Sequence, residues 1–265
     1  MEQKVAVVTG AARGIGRAYA LRLAAMGFDV AVLDRDLDAA AEFGETLEAG
    51  SVAEEVGLLG RRGLGIEADL LDHRQLTGAV EAVVESFGRI DLLVNNAGGA
   101  FAPIERSWAS RFTREDYDAM LDLNLRSTVE MCQAVVPHML RDGGVIVNIA
   151  SMAALIPAVR GGRLAHYGSA KSAVVTYTRF LAAELGPFGI RVNAIAPGTI
   201  ATSRNRAQAA QRDIGTSGDL DRIPLRRLGT EADCAGTLEF LASDLSGYVT
   251  GQCISVCGGR VLTPS

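Results

Sequence analysis

Tyr167 and Lys171 lie four residues apart, and of the side chains in this sequence they are the best placed to transfer a proton. A phenol ordinarily titrates near pH ~10, so it needs an adjacent positive charge to act as a base near neutrality. If the segment Gly168 to Leu185 is helical, the spacing puts both side chains on one face, about one turn apart. Such a pair could exchange the hydroxyl proton when hydride passes between an alcohol and a nicotinamide. Taken alone, a Tyr/Lys pair is more often an amphipathic surface pair.

Two further polar residues could join this pair. Ser151 follows the apolar run Val145 to Ile149, and open α/β sheets bind ligands at the carboxyl ends of their strands. The Ser151 hydroxyl could therefore donate to a substrate oxygen. Asn124 falls in the predicted helical stretch Tyr117 to Leu140, although asparagine is an indifferent helix former. For Asn124 the alternative is an exposed helical residue without a catalytic role.

A glycine-punctuated turn joins the first apolar run to the first helical stretch, where Gly10, Gly14 and Gly16 fall within TGAARGIG. Such a turn brings backbone N–H groups to a phosphate, and the following helix N-terminus favours its negative charge. Asp34 stands 24 positions after Gly10 (34 − 10), near the spacing at which an acid binds the adenosine ribose. A carboxylate there repels a 2′-phosphate, which favours NAD over NADP. Arg13 and Arg35 are nearby cations that could partly offset this repulsion.

Alternating apolar runs and helical segments position these residues. We predict strands at Val5 to Val8, Val30 to Leu33, Leu64 to Ile66, Leu92 to Val94, Val145 to Ile149, Val192 to Ile195 and Ile254 to Val256. Helices are predicted at Ile15 to Met26 and Ala39 to Leu47 and between most later strands. Near-continuous apolar strands separated by helices indicate a parallel sheet covered on both faces. The prediction is a single Rossmann-type, doubly wound α/β domain over residues 1–265.

Two segments fit this alternation poorly. Gly44 to Gly63 is longer than one helix requires, and we expect a surface elaboration without chemistry. Thr199 to Leu228 is polar and rich in Arg, Gln, Ser and Gly, which is typical of a lid over a substrate pocket.

Composition limits the partners and the compartment. The net charge of −5 disfavours nucleic acid and anionic membranes, which are bound through excess lysine and arginine. The four cysteines are scattered without nearby histidines, so we expect reduced thiols and no metal site. We see no basic leader and no stretch long enough to span a bilayer, and these features predict a cytoplasmic protein.

Over nearly its whole length the chain resembles the short-chain dehydrogenase/reductase family, of the NAD-preferring TGxxxGIG/YxxxK type. The matching motifs are TGAARGIG at 9–16, NNAG at 95–98, Asn124, Ser151, YGSAK at 167–171 and PG at 197–198. The resemblance implies that Asp69 and Leu70 flank the adenine, that Asn96, Ala97 and Gly98 line the cofactor cleft, and that Pro197, Gly198, Ile200 and Thr202 contact the nicotinamide end. With Gly10, Arg13, Gly14, Ile15, Gly16, Asp34, Arg35, Tyr167 and Lys171 they form the predicted cofactor site.

The resemblance also implies the catalytic roles. Tyr167 would be the general acid/base, Ser151 would polarise the carbonyl, and Lys171 would also hold the nicotinamide ribose. Asn124 would hold a water that links Lys171 to bulk solvent. A homotetramer is the common assembly in the family.

Two features depart from the family pattern. The 16 positions from Ser151 to Tyr167 (167 − 151) exceed the usual spacing and include Arg160, Arg163 and His166. Arginines beside an alcohol site could bind an anionic substrate group, although solvated loop arginines are the commoner case. For His166 a structural or solvent-facing role is favoured over a proton relay. Cys257 stands where the family's last strand usually carries an acid.

The leading hypothesis is an NAD-dependent oxidoreductase that interconverts a secondary alcohol and a ketone. Its rival is reduction of a 3-oxoacyl thioester, against which Asp34 argues mildly because biosynthetic reductases usually draw on NADPH. A nucleotide-sensing regulator that has lost turnover is the alternative of another class. Such a regulator would not need the four residues Asn124, Ser151, Tyr167 and Lys171 together.

Overall fold

A single sheet of seven parallel strands forms the centre of the molecule, in the order β3-β2-β1-β4-β5-β6-β7. The structure, a computed structural model, describes residues 3–101, 104–157, 162–209 and 214–262. The strands are β1 (Val5–Thr9), β2 (Asp29–Asp34), β3 (Gly63–Glu67), β4 (Leu92–Asn95), β5 (Gly144–Ile149), β6 (Ile190–Pro197) and β7 (Cys253–Val256). All seven predicted strands are present, and the doubly wound α/β architecture is confirmed.

Helices connect the strands and cover the sheet. They are α1 (Gly14–Ala25), α2 (Val52–Leu58), α3 (His73–Phe87), α4 (Arg114–Leu121), α5 (Ser127–Val135), α6 (Ala165–Leu185), α7 (Ser203–Ala207), α8 (Ser217–Leu220) and α9 (Glu231–Ala242). A π-helical segment, Asp122–Arg126, joins α4 to α5, and a 3-10 helix, Met152–Ala154, follows β5. No described helix combines the length and the apolar character needed to cross a membrane.

Burial on both faces explains the apolar strands. Leu23 of α1 and Leu238 of α9 are fully buried against one face of the sheet. Val83 of α3, Met131 of α5 and Leu185 of α6 are buried against the other. Because both faces of the central strands are covered, most side chains in them are apolar.

One predicted helix is wrong. Ala39 to Leu47 contains only a 3-10 turn, Ala41–Phe43, which ends at Gly44 with a left-handed φ of 64°. The chain then runs without regular structure to Ser51, whose side chain caps α2 by accepting the N–H of Glu54. Helix propensity was overridden here by tertiary contacts of Glu45, described below.

The predicted helix from Tyr117 to Leu140 is also interrupted. It consists of α4, the π-helical segment, α5 and a 3-10 turn at Val136–His138. Single-turn π segments are rare and frequently occur at functional sites. This one carries Asn124.

Candidate active site

A cleft of about 370 Å³ runs along the carboxyl ends of β1, β2 and β4. It brings together most residues of the predicted cofactor site: Gly10, Arg13, Gly14, Ile15, Gly16, Asp34, Arg35, Asp69, Leu70, Asn96, Ala97, Gly98 and Thr202. Its volume lies within the range of small-molecule sites.

At the glycine turn, the backbone after β1 approaches the backbone after β4 closely. Gly10 has φ of 62°, and a Cβ built on it would lie 2.8 Å from the Cα of Ala97. A Cβ on Gly16 would lie 2.0 Å from the carbonyl oxygen of Gly10. Helix α1 starts after Arg13, which provides no side-chain cap. The N–H groups of its first turn have no acceptors within the helix, so they can serve a phosphate.

Polar bonds fix the loop after β4 against β1. The Thr9 hydroxyl accepts the N–H groups of Asn96 and Ala97, each at 3.0 Å. The Asn96 amide donates to the carbonyls of Thr9 at 3.0 Å and Gly10 at 2.8 Å. The two loops, which both line the cleft, are therefore fixed to each other.

Asp34 lies at the end of β2 and faces the glycine turn. Its carboxylate accepts the N–H of Ala12 at 3.0 Å. Burial raises the pKa of the Asp34 carboxyl from its ordinary value, while the Ala12 amide and the Arg13 charge act in the opposite direction. The Arg13 guanidinium stacks on the ring of Phe43, 4.6 Å from its centroid.

Lys171 is buried in the second turn of α6. Its Nζ donates to the carbonyl oxygen of Ile149, the last residue of β5, at 2.6 Å. Burial lowers the pKa of the Lys171 ammonium to about 8. A Cβ on Gly98 would lie 3.3 Å from this Nζ, so the lysine reaches the wall of the cleft. The ammonium thus lies between a strand end and the loop after β4.

Asn124 is fully buried, which excludes the exposed alternative. Its Oδ1 accepts the N–H of Gly99 at 2.9 Å. Its Nδ2 donates to the carbonyls of Gly99 and Met120, both at 3.1 Å. The Asn124 amide therefore holds the loop that carries Gly98, rather than pointing an unused donor toward Lys171.

Replacing this asparagine tests its structural importance. We expect Asn124→Ala to lower the free energy of unfolding by roughly 2–4 kcal/mol, because the buried N–H and C=O of Gly99 lose their partners. Urea unfolding measures the loss. As a matched control, Asn205→Ala removes one partly buried bond, to the Ile200 carbonyl, and should cost about 1 kcal/mol or less. Equal losses in the two variants would contradict this role.

Packing of the 3-10 helix after β5 against α6 brings Ser151 towards Tyr167. A Cβ on Gly168 would lie 2.9 Å from the Ala153 carbonyl oxygen, so only glycine allows this approach. The Ser172 hydroxyl donates to the Ala154 carbonyl at 2.9 Å. Tyr167 is the third residue of α6 and is partly buried, as is Ser151. The Ser151 oxygen accepts the N–H of Ala153 at 3.2 Å, so its own proton can still be donated.

The residues predicted to contact the nicotinamide end lie at the end of β6 and beyond it. A Cβ on Gly198 would lie 2.8 Å from the Cα of Cys257. Ile200 is buried, and a Cβ on Gly229 would lie 2.5 Å from its Cδ1. Of the predicted set Pro197, Gly198, Ile200 and Thr202, the last lines the described cleft. The Thr202 side chain also caps α7 by accepting the N–H of Asn205.

The longer segment before Tyr167 packs on the loop before α4. Arg163 pairs with Trp108 in a β-bridge, and its guanidinium lies 4.7 Å from the indole centroid. His166 is fully buried and stacks on Phe112, with ring centroids 5.4 Å apart. Its Nδ1 accepts the N–H of Tyr167 at 2.8 Å, and burial lowers the pKa of the imidazole. Arg160 lies outside the described residues.

The segment Gly44 to Gly63 is not the surface elaboration that we expected, because it contains α2 and contacts the phosphate turn. The Glu45 carboxylate accepts the N–H of Gly14 at 3.0 and 3.1 Å, the Arg17 guanidinium at 3.2 Å and the Ser203 hydroxyl at 3.0 Å. Arg17 also pairs with buried Glu55 at 2.6 Å. Glu45 therefore joins the phosphate turn to the start of α7.

Sequence reasoning missed several cleft residues. Phe43 and Glu42 come from the segment after β2, Phe101 from the loop after β4, and Arg204 and Gln208 from the lid. The Arg204 guanidinium lies 5.3 Å from the centroid of the Phe101 ring. A cation in a segment already identified as a lid was the available signal for Arg204.

Comparison with known proteins places this geometry among oxidoreductases. A family model described as enoyl-(acyl carrier protein) reductase matches residues 10–260. The cyclohexanol dehydrogenase of Rhodococcus sp. (strain TK6) is 47% identical over 262 residues, which cover 97% of this chain and 95% of that protein.

Solved structures are similar over equally long spans. A short-chain type dehydrogenase/reductase from Mycobacterium marinum superposes with a TM-score of 0.86 at 32% identity, covering 98% of this chain and 96% of that one. A 7α-hydroxysteroid dehydrogenase complexed with NADH and 7-oxoglycochenodeoxycholic acid has a TM-score of 0.83 at 32% identity, covering 99% and 96%.

Proposed function

Because the chain belongs to the short-chain dehydrogenase/reductase family, whose members are NAD(P)-dependent oxidoreductases, we propose that it interconverts a secondary alcohol and a ketone with NAD. One observation carries the proposal. A buried Lys171 lies one helical turn after Tyr167 and bonds to the end of β5, two residues before Ser151. This is the arrangement of acid/base, cation and hydroxyl that proton transfer to or from an alcohol needs. A protein that only sensed the nucleotide would have no use for it.

The described cleft fits a dinucleotide. Its floor is a glycine turn that excludes side chains and leads into the N-terminus of α1, and Asp34 stands at one end. When bound there, the nicotinamide would supply the hydride-accepting or hydride-donating ring. Asp34 would accept the adenosine ribose hydroxyls, and Asp69 and Leu70 would flank the adenine. We propose contacts to the nicotinamide end by Pro197, Gly198, Ile200 and Thr202.

Tyr167 would act as the general acid/base. In the oxidative direction its phenolate removes the hydroxyl proton as the carbinol hydrogen leaves as hydride. Lys171 would favour the phenolate, because a nearby positive charge stabilises the deprotonated form of an acid. We also propose that Lys171 donates to the nicotinamide ribose, since its Nζ reaches the cleft wall at Gly98.

Ser151 and Asn124 would support the same step. The Ser151 hydroxyl is positioned by Ala153 N–H and would donate to the substrate oxygen, steadying the developing alkoxide. Asn124 would act mainly by position, since its amide bonds fix Gly99 next to the lysine. The Asn124 side-chain amide is already bonded to Gly99 and Met120. A water that links Lys171 to solvent would therefore bind near Asn124 without a bond to that amide.

We propose that residues 1–265 form one catalytic domain with a lid at about 199–228. Support comes from the site itself, because its residues are drawn from the ends of β1, β2, β4, β5 and β6, which belong to a single sheet, and from helix α6. A homotetramer and a cytoplasmic location stay predictions.

A substrate screen tests the proposal. Secondary alcohols and ketones that are neutral, aromatic or anionic, together with a 3-oxoacyl thioester, are assayed by NADH absorbance. We expect turnover of a cyclic or aromatic secondary alcohol with NAD, since the cyclohexanol dehydrogenase is 47% identical. Turnover of the thioester alone, with NADPH, would favour the rival 3-oxoacyl reductase. NADH binding without turnover of any substrate would favour the regulator.

Asp34→Ala tests the cofactor preference. We expect the ratio of kcat/KM for NAD over NADP to fall by roughly 10- to 100-fold, because a charge that binds ribose and repels a 2′-phosphate is lost. Asp36→Ala is the matched control, since Asp36 is an exposed acid lining the same end of the cleft. If the ratio does not move in Asp34→Ala, the ribose role is wrong.

A further inference from the structure

We propose that Arg204, on the lid helix α7, binds the pyrophosphate of the dinucleotide from the side opposite the glycine turn. The inference rests on the dinucleotide site of the proposed function, not on the alcohol chemistry. Arg204 lines the same cleft as Gly10, Gly14 and Asp34. Nothing in the motifs assigns this residue a role.

Geometry places its guanidinium across the mouth of the cleft. Thr202, two residues earlier, lies over the phosphate turn, since a Cβ on Gly14 would be 3.9 Å from its Cγ2. A Cβ on Gly99, on the opposite wall, would be 3.2 Å from Nη1 of Arg204. The side chain therefore spans from the lid towards the loop after β4. A phosphate on the first turn of α1 would lie below it.

The guanidinium is held in this orientation. The Phe101 ring lies 5.3 Å from it, within the range of a cation–π contact. The start of α7 is anchored by the Ser203 hydroxyl, which donates to Glu45 at 3.0 Å, and by the Asn205 amide, which donates to Ile200 at 2.8 Å. An arginine on an anchored backbone loses less conformational freedom when it binds an anion.

The distribution of charged residues in the cleft explains why a cation is needed on the lid side. The acidic residues of the described lining are Asp34, Asp36, Glu42 and Asp69, and the basic ones are Arg13, Arg35 and Arg204. Arg13 and Arg35 belong to the Asp34 end, where Arg13 stacks on Phe43. Glu45 also occupies the Gly14 N–H and brings a negative charge to the phosphate turn. Two phosphate charges beside that carboxylate need an offsetting cation, and Arg204 is the arginine on the lid side.

Binding of fragments of the cofactor separates this role from others. We expect Arg204→Gln to weaken ADP-ribose, measured by calorimetry without substrate, by about 10-fold, because a charge-assisted bond to phosphate is lost. AMP, which lacks the pyrophosphate bridge, should change less than about 2-fold by the same reasoning. Arg204→Lys should recover part of the affinity, since the charge remains without the guanidinium fork.

The matched control is Arg206→Gln, because Arg206 lies on the same helix and lines a separate groove beside Glu45 and Arg17. Its affinity for ADP-ribose should be unchanged. Added salt should weaken ADP-ribose binding more steeply in the wild type than in Arg204→Gln.

Three results would overturn the inference: unchanged ADP-ribose affinity in Arg204→Gln, an equal loss for AMP, or an equal loss in Arg206→Gln. A higher KM confined to anionic substrates would assign the arginine to the substrate instead. Circular dichroism melts of each variant exclude unfolding as the cause. Since no turnover is measured in the binding arm, failure of the proposed reaction would not be mistaken for failure of this contact.

Discussion

Tyr167→Phe is expected to lower kcat by roughly 10²- to 10⁴-fold while NADH binding stays nearly constant, because the proton partner is removed without the cofactor contacts. The loss should fall on kcat and on kcat/KM alike, as for a group that acts in the transition state. Steady-state kinetics with the best alcohol of the screen and NADH fluorescence titration give the two quantities.

The control for this variant lies ten residues along the same helix. Tyr177 packs on the α3 and α5 side of the sheet, away from the cleft lining. Tyr177→Phe should therefore retain wild-type kcat. Full activity in Tyr167→Phe, or an equal loss in both variants, would refute the acid/base assignment.

Much of the fold could be predicted from the sequence because buried strands consist mainly of apolar residues. The five residues of β1 are all buried, and the apolar run Val5 to Val8 within this strand was recognisable without any long-range information. β3 shows the limit of this signal. It is an edge strand with alternating exposure, and only its inner residues Leu64 to Ile66 were predicted.

The parts of the candidate site that could be predicted are those built from local motifs. Gly10, Gly14 and Gly16 must be small because two backbones meet there, and a turn followed by a helix carries that constraint within eight residues. Tyr167 and Lys171 share a face through helix geometry alone. These residues can be identified from spacing because spacing determines their arrangement.

The contacts that escaped prediction join residues far apart in the chain. Glu45 reaches Gly14 across 31 positions and Ser203 across 158. Helix propensity indicated a helix through this glutamate, but one carboxylate satisfying three partners fixes a different backbone. Asn124 presents the same limit, since its burial depends on the approach of Gly99 and could not be inferred from a helical stretch.

Lys171→Met is expected to abolish turnover and, at the same time, to change how stability depends on pH. In the folded protein burial lowers the Lys171 pKa to about 8, whereas an unfolded lysine titrates near 10.4. Between these values the unfolded chain binds more protons than the folded one, so stability of the wild type rises with pH. Relative to the methionine variant, the wild type should gain up to about 3 kcal/mol as pH increases from below 8 to above 10.

The slope of this difference isolates the buried charge. The lost bond from Nζ to the Ile149 carbonyl offsets the two stability curves by an amount that changes little with pH, because a neutral amine can still donate. Urea unfolding of the cofactor-free protein from pH 7 to 10 measures both the pH dependence of the stability difference and its constant offset. The only other lysine of the chain is exposed Lys4, so Lys4→Met is the matched control and should run parallel to the wild type. Parallel curves for Lys171→Met as well would mean that the ammonium is not desolvated. A gain for the wild type confined to pH 8–10 would show that the charge next to Tyr167 is retained at a cost in stability.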